Sequence, residues 1–397
     1  MAKTFVLVGD HFQLPPLVQN EEAIAGGLNV SLFKMLSEQH QEAVISLVHQ
    51  YRMCSDIMEI SNRLIYSGRL VCGTDGVATR KMHVTKPDVW HNYHHPPSNS
   101  YPTYSPTKLT PPKACNCPGN PATCFLSRVL DPETKVIFLN TDLLFPHSQD
   151  TVSGPRITNN LEVTLVTQLT SLFLTAGVAP ADLGIVTFYR SQLALLRQRM
   201  RVHPDALNVE MSTADRYQGR DKEAIIVSLV RSNTDGQVGD LLKDWRRVNV
   251  AVTRAQSKLV IIGSKRTMLA GGEVLTGLVR LSEEKGWMFD LSKDAIEGHV
   301  FDDGLATEGT GTPFKSSPVN FGSVRKSPTK KSPTKKRSVE KQPSQNPLSP
   351  LRKVSNVIDL LNPSPIKKRF KVPEKRGRIG PNVKKRSALG DILNDVL

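Results

Sequence analysis

Short apolar runs alternate with amphipathic stretches along most of the chain. The runs are rich in Val, Ile, Leu and Phe and end at polar residues or glycine, a pattern that predicts buried strands. They occupy Phe5–Val8, Val44–Leu47, Lys135–Leu139, Leu183–Tyr189, Glu223–Val230 and Lys258–Gly263. Runs that are apolar nearly throughout are typical of a parallel sheet covered on both faces.

Between these runs, apolar positions three and four residues apart predict helices. The clearest stretch is 160–175, where Leu161, Leu165, Leu169 and Leu172 share one face. Further helices are predicted at Ser31–Glu38, Ile57–Ile65, Ser191–Met200 and Trp245–Ala255. Alternation of strands and helices predicts an α/β fold.

The pattern fails in two places. Residues 78–125 are dense in Pro, Ser, Thr and Asn, which predicts a disordered insertion or a long loop. Residues 305–397 are of low complexity, with the near repeat SPTKKSPTKK at 327–336, and are predicted to form a disordered basic tail because they cannot bury a core.

The distribution of charge separates the same C-terminal segment from the rest of the chain. The net charge of +15 lies entirely in residues 305–397, which hold 21 basic and 6 acidic residues. Basic clusters at 365–371 and 375–386 predict binding to a nuclear-import receptor and to DNA, and thus a nuclear location. Ser-Pro pairs in this tail would add negative charge if phosphorylated and weaken DNA binding. No apolar stretch reaches 18 residues, so no membrane association is predicted.

The five cysteines are irregularly spaced, which argues against a disulfide framework and for a reducing compartment. Three of them lie near three histidines in the insertion: Cys115, Cys117, Cys124, His91, His94 and His95. Paired C-x₂-C spacing is missing, so the sequence predicts no metal site.

Four polar motifs carry the candidate chemistry. They are GDHFQLPP (9–16), QYRM (50–53), STADRYQGRDKEAIIVSLVRSN (212–233) and RRVNVAVTRAQ (246–256). In this order they resemble motifs III to VI of superfamily 1 helicases of the 5′-to-3′ subgroup. The resemblance implies the end of a first RecA-like domain at 1–75 and a second RecA-like domain, of the P-loop NTPase type, at 130–295.

Within that family, VIFLNTD (136–142) and the 212–233 motif are most similar to the C-terminal helicase part of eukaryotic DNA-replication helicase/nucleases. The resemblance implies an ATP-dependent DNA helicase acting on single-stranded or flap DNA in replication and repair. An RNA helicase of the nonsense-mediated-decay type shares the motifs. A non-catalytic DNA- or chromatin-binding protein is the alternative from another class.

The same resemblance implies which residues form the nucleotide site. Arg52 and Arg254 are expected to reach the γ-phosphate of ATP, where an arginine is worth about 10³ to 10⁵ in rate. Gln13 is expected to contact this phosphate from the first domain. The remaining nucleotide-site residues are Asp10, Gly219 and Asp221.

A second group is expected to contact nucleic acid. Ser212 and Thr213 offer hydroxyl groups to phosphates at a strand end, and Arg190 offers a charge. Tyr189 is either a stacking platform for a base or a core aromatic, and the sequence leaves both interpretations open.

Two expected elements are absent from the sequence. A phosphate-binding loop needs Gly-Lys and magnesium needs an acidic pair, but the chain has no Gly-Lys or Asp-Glu dipeptide. We therefore expect the loop and the Mg²⁺ ligands to precede Phe5 in a larger parent, and this chain alone to be inactive. Any nuclease domain, the one place where an iron–sulfur cluster is expected, would also lie upstream.

Overall fold

A computed structural model of the chain describes residues 4–94, 123–201, 203–299 and 301. The helices are α1 Glu21–Ala25, α2 Leu32–Gln39, α3 Ser55–Leu64, α4 Asp75–Ala78, α5 Phe125–Leu130, α6 Asn160–Thr175, α7 Arg190–Met200, α8 Ala214–Tyr217, α9 Asp240–Lys243, α10 Trp245–Val252, α11 Lys265–Leu269, α12 Glu273–Glu284 and α13 Lys293–Glu297. The strands are β1 His49–Gln50, β2 Val71–Cys72, β3 Val136–Asn140, β4 Thr151–Ser153, β5 Arg156–Thr158, β6 Leu183–Thr187, β7 Glu210–Thr213, β8 Lys222–Ser228, β9 Ala255–Gly263 and β10 Met288–Asp290.

Six strands form one parallel sheet in the order β10-β3-β9-β8-β6-β7. In the centre of the sheet, Ile226 of β8 lies between Ile185 of β6 and Val260 of β9. Two short pairs stand apart, β1 with β2 in parallel and β4 with β5 as an antiparallel hairpin. The predicted α/β fold with a RecA-like parallel sheet is confirmed.

Alternate residues of each central strand pack on opposite faces of the sheet. Ile226 joins the core cluster that contains α5, α6 and α7, while Ile225 and Val227 join the cluster that contains α3, α8, α10 and α12. We call these the α6 face and the α10 face. Because both faces are buried, the strands need apolar residues at every position, which is the pattern that the sequence shows.

The predicted strands at Phe5–Val8 and Val44–Leu47 are wrong. Both segments have irregular structure, and Val8 is 87% and Leu47 80% exposed. A strand is stabilised by hydrogen bonds to a neighbouring strand, and the described residues provide no such partner for either segment.

The folded part extends further into the predicted insertion than its composition indicates. Residues 78–94 and 123–125 are described, and Val89, Trp90 and Tyr93 are buried on the α6 face. These apolar side chains are few among Pro, His and Asn, which hides them from a reading of composition. Residues 95–122 and the tail 305–397 lie outside the described residues.

Candidate functional site

The QYRM motif forms a tight turn held by the side chain of its glutamine. The Gln50 Oε1 atom accepts hydrogen bonds from the backbone N–H groups of Arg52 (3.0 Å) and Met53 (2.8 Å). The Gln50 Nε2 group donates to the Met53 carbonyl at 2.8 Å. Cys54 then donates its N–H to the Gln256 carbonyl at 2.8 Å, which fixes the turn against the start of β9. The turn thereby directs Arg52 towards the end of α10.

Arg254 lies between α10 and β9 and is almost fully buried, at 1% exposure. Its guanidinium donates to the Val250 carbonyl (2.9 Å), the Thr253 hydroxyl (2.8 Å) and the Arg220 carbonyl (3.3 Å). A cation at the C-terminal end of a helix is favourable because the last carbonyl groups there lack partners within the helix. These contacts fix the direction of the charge.

The buried guanidinium of Arg254 has charged neighbours of both signs. Burial lowers the pKa of Arg254 to about 10, and the charge of Arg52 acts in the same direction, whereas Asp221, Tyr66 and Asp10 oppose the shift. The group therefore remains protonated at neutral pH. Arg52 and Arg254 thus form a pair of like charges held close by the fold.

Asp221 supplies the counter-charge. Its carboxylate lies 3.6 Å from Arg52 Nε and accepts a hydrogen bond from Gln256 Nε2 at 2.7 Å. Asp221 directly precedes β8 and Arg254 directly precedes β9, and the Lys222 N–H donates to the Arg254 carbonyl at 3.0 Å. The two residues are therefore neighbours because their strands pair.

Contacts with α10 join the motif at 9–16 to the cluster of Arg52, Arg254 and Asp221. Asp10 accepts hydrogen bonds from the Tyr66 hydroxyl (2.6 Å) and Gln13 Nε2 (3.2 Å). Asn249 of α10 donates to the Tyr66 oxygen and to the Phe12 carbonyl, both at 3.1 Å. The structure thus brings Asp10 and Gln13 to the arginine pair although the predicted strand before them does not form.

Gly219 lies in the turn between α8 and β8. Its φ of +80° is in the left-handed region that favours glycine, and a Cβ atom there would meet nothing within 4 Å. The preceding Gln218 reaches Gln13 Oε1 at 3.5 Å. All six residues predicted for the nucleotide site therefore belong to one neighbourhood at the amino ends of β8 and β9.

The residues predicted to contact nucleic acid lie at the carboxyl ends of the strands, opposite the nucleotide-site cluster. Thr213 ends β7 and pairs in register with Thr187, which ends β6, two residues before Tyr189. Ser212 and Thr213 are 7% and 5% exposed. β8 has seven residues, so the two ends of the strands are separated by about 20 Å.

Tyr189 and Arg190 differ in exposure. The Tyr189 ring is 6% exposed and packs in the core of the α10 face, and its hydroxyl donates to the Val238 carbonyl at 3.3 Å. Burial raises the pKa of Tyr189 to about 12. Arg190 is exposed at the first position of α7. The charge of Arg190 thus faces solvent, whereas the Tyr189 ring is in the core.

Sequence reasoning missed several residues that complete the nucleotide-side cluster. Gln50, Asn249 and Gln256 lie within the quoted motifs and were visible as uncharged polar residues in otherwise apolar or charged stretches. Tyr66 and Arg80 lie outside every motif. Arg80 donates to the Arg52 carbonyl at 2.7 Å, a contact that depends on the fold alone.

Comparison with known proteins identifies the family. The AAA_12 family, described as an AAA domain, matches residues 28–266. This chain belongs to that family. Among curated proteins, the chain is 41% identical over 300 residues to the DNA replication ATP-dependent helicase/nuclease DNA2 of Saccharomyces cerevisiae, which covers 75% of this chain and 18% of that protein.

Two further relatives carry names of the same kind. DNA2 of Homo sapiens is 44% identical over 262 residues, covering 66% of this chain and 22% of the relative. The helicase/nuclease JHS1 of Arabidopsis thaliana is 38% identical over 287 residues, covering 72% and 19%. The predicted resemblance to eukaryotic helicase/nucleases is confirmed, and the chain spans about a fifth of the length of these relatives.

No helix among the described residues is both long and apolar enough to cross a membrane.

Proposed function

We propose that this chain is the part of an ATP-dependent 5′-to-3′ DNA helicase of the helicase/nuclease type that carries the second RecA-like domain. The observation that carries the proposal is the convergence of Arg52 and Arg254. They come from motifs far apart in sequence and meet beside Asp221 at one edge of the parallel sheet. An arginine pair held in this way is suited to the charge that develops on a transferring phosphoryl group.

The donor set fits the terminal phosphate of ATP. The contacts of Arg52 are long, 3.5 Å to the Thr253 carbonyl and 3.6 Å to Asp221, and its side chain is 37% exposed. It therefore retains capacity for charge-assisted hydrogen bonds to phosphate oxygens. Arg254 is held by three oxygen acceptors, so its charge is already oriented before a nucleotide binds. Gln13 would contact the same terminal phosphate. Bound ATP would supply the phosphoryl group that is transferred.

Neither carboxylate of this cluster is arranged as a magnesium ligand. Asp10 accepts hydrogen bonds from Tyr66 and Gln13, and Asp221 is paired with Arg52 and Gln256. The proposal therefore places the Mg²⁺ ligands and the phosphate-binding loop elsewhere in the parent protein. On this proposal, the chain alone binds ATP weakly and hydrolyses it at the background rate.

DNA is the proposed substrate because the relatives are named for DNA replication. Ser212, Thr213 and Arg190 would contact the strand at the carboxyl edge of the sheet, with Tyr189 supporting them from the core. The short helix α8 and its following turn join Thr213 to Asp221, so one continuous segment connects the proposed DNA and nucleotide contacts. The basic clusters at 365–371 and 375–386 are proposed to bind an import receptor and to direct the protein to the nucleus.

The decisive experiment measures ATPase and DNA binding in the full-length parent protein. Arg52→Ala and Arg254→Ala should each lower the DNA-stimulated kcat by about 10³ or more while leaving DNA affinity nearly unchanged. Lysine at either position should not restore activity, because it lacks the planar donor fork. Arg63→Ala is the matched control, since Arg63 is an exposed arginine of α3 paired with Glu284.

Three other results would contradict the proposal. Equal loss of DNA binding and hydrolysis in the arginine variants would indicate a folding defect rather than a role in phosphoryl transfer. ATPase activity stimulated by single-stranded DNA in the purified 397-residue chain would show that the chain needs no other part. Unwinding of RNA duplexes in preference to DNA duplexes by the parent would favour the RNA helicase alternative.

A further inference from the structure

Three distant segments meet at a cluster of two histidines and one cysteine on the α6 face. His94 directly follows the 3₁₀ segment Pro87–Tyr93, Cys124 precedes α5, and His299 follows α13. The Cys124 Sγ atom lies 3.4 Å from His299 Nε2 and 3.7 Å from His94 Nε2. His94 and His299 also face each other in an isolated antiparallel bridge. One thiol and two imidazole nitrogens therefore converge on one point.

The backbone selects the same tautomer for both neutral rings. His94 Nδ1 lies 3.0 Å from the Trp90 carbonyl, and His299 Nδ1 contacts the Ala295 carbonyl. A carbonyl oxygen accepts hydrogen bonds and cannot donate them, so each neutral ring carries its proton on Nδ1. The Nε2 atoms, which carry the lone pairs, then point towards Cys124. Metal-binding histidines are oriented in this way, with the second ring nitrogen donating to a carbonyl.

The two distances from the sulfur atom match those around a tetrahedral ion, and all three ligand atoms lie within 4.8 Å of one another. Zinc bonds of about 2.3 Å to sulfur and about 2.0–2.1 Å to nitrogen, at a tetrahedral angle, place the two ligand atoms about 3.6 Å apart. The observed separations of 3.4 and 3.7 Å lie on either side of that value.

We propose that His94, Cys124 and His299 bind a zinc ion. A thiolate with two imidazoles is a set of ligands that zinc prefers, and a tetrahedral ion has a fourth position for water or another donor. The metal would be structural, because the cluster is packed among aromatic rings of the α6 face, with Phe125 5.2 Å from His299 and Trp90 5.2 Å from His94. Arg254 and Asp221, by contrast, lie at the amino ends of β9 and β8, beside the end of α10 on the other face of the sheet.

The ion would join both ends of the 95–122 segment to the C-terminal end of the fold. His94 and Cys124 bracket that segment, and His299 is 175 positions from Cys124. A link that closes loops of this length reduces the entropy of the unfolded chain, so metal binding should stabilise the folded state.

The test uses the purified full chain, freed of metal with a chelator and titrated with Co²⁺ as a spectroscopic probe of the zinc site. We expect one ion per chain, with the visible absorption of tetrahedral cobalt and a thiolate-to-cobalt charge-transfer band. Cys124→Ser should abolish that band, and His94→Gln and His299→Gln should each weaken binding at least tenfold. His91→Gln and Cys72→Ser are matched controls and should bind as the natural chain does.

A second measurement separates loss of metal from loss of fold. Zinc should raise the Tm of the natural chain and of both controls, but not that of His94→Gln, whose partly exposed ring is replaced at small cost to packing. A chain that binds no stoichiometric metal would overturn the proposal. Cobalt absorption that persists in Cys124→Ser but disappears in Cys115→Ser/Cys117→Ser would overturn it too, because the ion would then be held by other thiols.

Discussion

Segment 4–48 and the sheet region 135–291 contain similar apolar runs with opposite outcomes. In the sheet region, Ile226 and its neighbours are fully buried between two layers of helices. In the N-terminal segment, Val6 and Ile45 are 83% and 78% exposed, and no strand forms there in the described structure. The difference shows that an apolar run becomes a strand only where neighbouring strands supply hydrogen bonds and helices cover the faces.

The largest expected difference between the two regions is in the cost of removing an apolar side chain. Ile226→Ala should lower the free energy of unfolding by about 2–5 kcal/mol, because it leaves a cavity between the sheet and the helices of the α6 face. Ile45→Ala makes the same chemical change at an exposed position and should change stability by less than about 0.5 kcal/mol. Urea denaturation of both variants measures the contrast. Equal effects would mean that segment 4–48 is packed in solution.

The second largest expected difference comes from a buried carboxyl group in the sheet region. Burial raises the pKa of Glu162 on α6 to about 8, opposed by hydrogen bonds from Ser228 and the Val230 N–H and reinforced by the charge of Asp150. The unfolded chain loses this proton near pH 4.5, so between about 4.5 and 8 the folded state binds more protons. Stability should therefore fall as the pH rises through this window, by an amount on the order of a few kcal/mol.

Replacing the carboxyl group tests this assignment. Glu162→Gln should flatten the dependence of the unfolding free energy on pH between about 4.5 and 8. Lys258→Met serves as the control below pH 7, because burial lowers the pKa of Lys258 from 10.5 to about 7 and its effect on stability therefore lies above pH 7. An unchanged slope in Glu162→Gln would assign the dependence to another group.

The contact between the two regions offers a smaller effect. The Tyr66 hydroxyl donates to Asp10 at 2.6 Å and accepts from Asn249 at 3.1 Å, so it links segment 4–48 to α10. Tyr66→Phe should weaken this link by about 1 kcal/mol and speed amide exchange around 9–16. Exchange in β8 should stay slow. Faster exchange throughout the sheet would instead show that the segment contributes to the stability of the whole domain.

The smallest effect is expected within the segment itself. Lys34 and Glu38 form a partly exposed ion pair 3.7 Å apart, one turn along α2. Glu38→Ala should lower stability by no more than about 0.5 kcal/mol, and less at high salt, because water and ions screen the pair. Thermal unfolding at low and high salt measures this, with Glu38→Gln as the isosteric control. A loss above 1 kcal/mol would show that α2 has a packing role.

The sequence predicted which residues belong to the candidate site better than it predicted how they are held. The motifs named Arg52, Arg254 and Asp221, and the fold brings all three together. Asp10 follows a predicted strand that does not form, yet the residue reaches the site because Tyr66 binds it. A residue pattern reports which side chains carry the chemistry, whereas long-range contacts decide how they are held.

The sequence by itself determined the α/β class, because helices and strands impose different spacings on apolar residues and these spacings are local. It also predicted a division between the folded region and a basic tail at 305–397, since composition limits how much apolar surface can be buried, and that tail lies outside the described residues. Only the tertiary structure decided that Tyr189 lies in the core, that 5–8 is not a strand, and that His94, Cys124 and His299 meet. These outcomes depend on contacts between residues far apart in the chain, which no local pattern records.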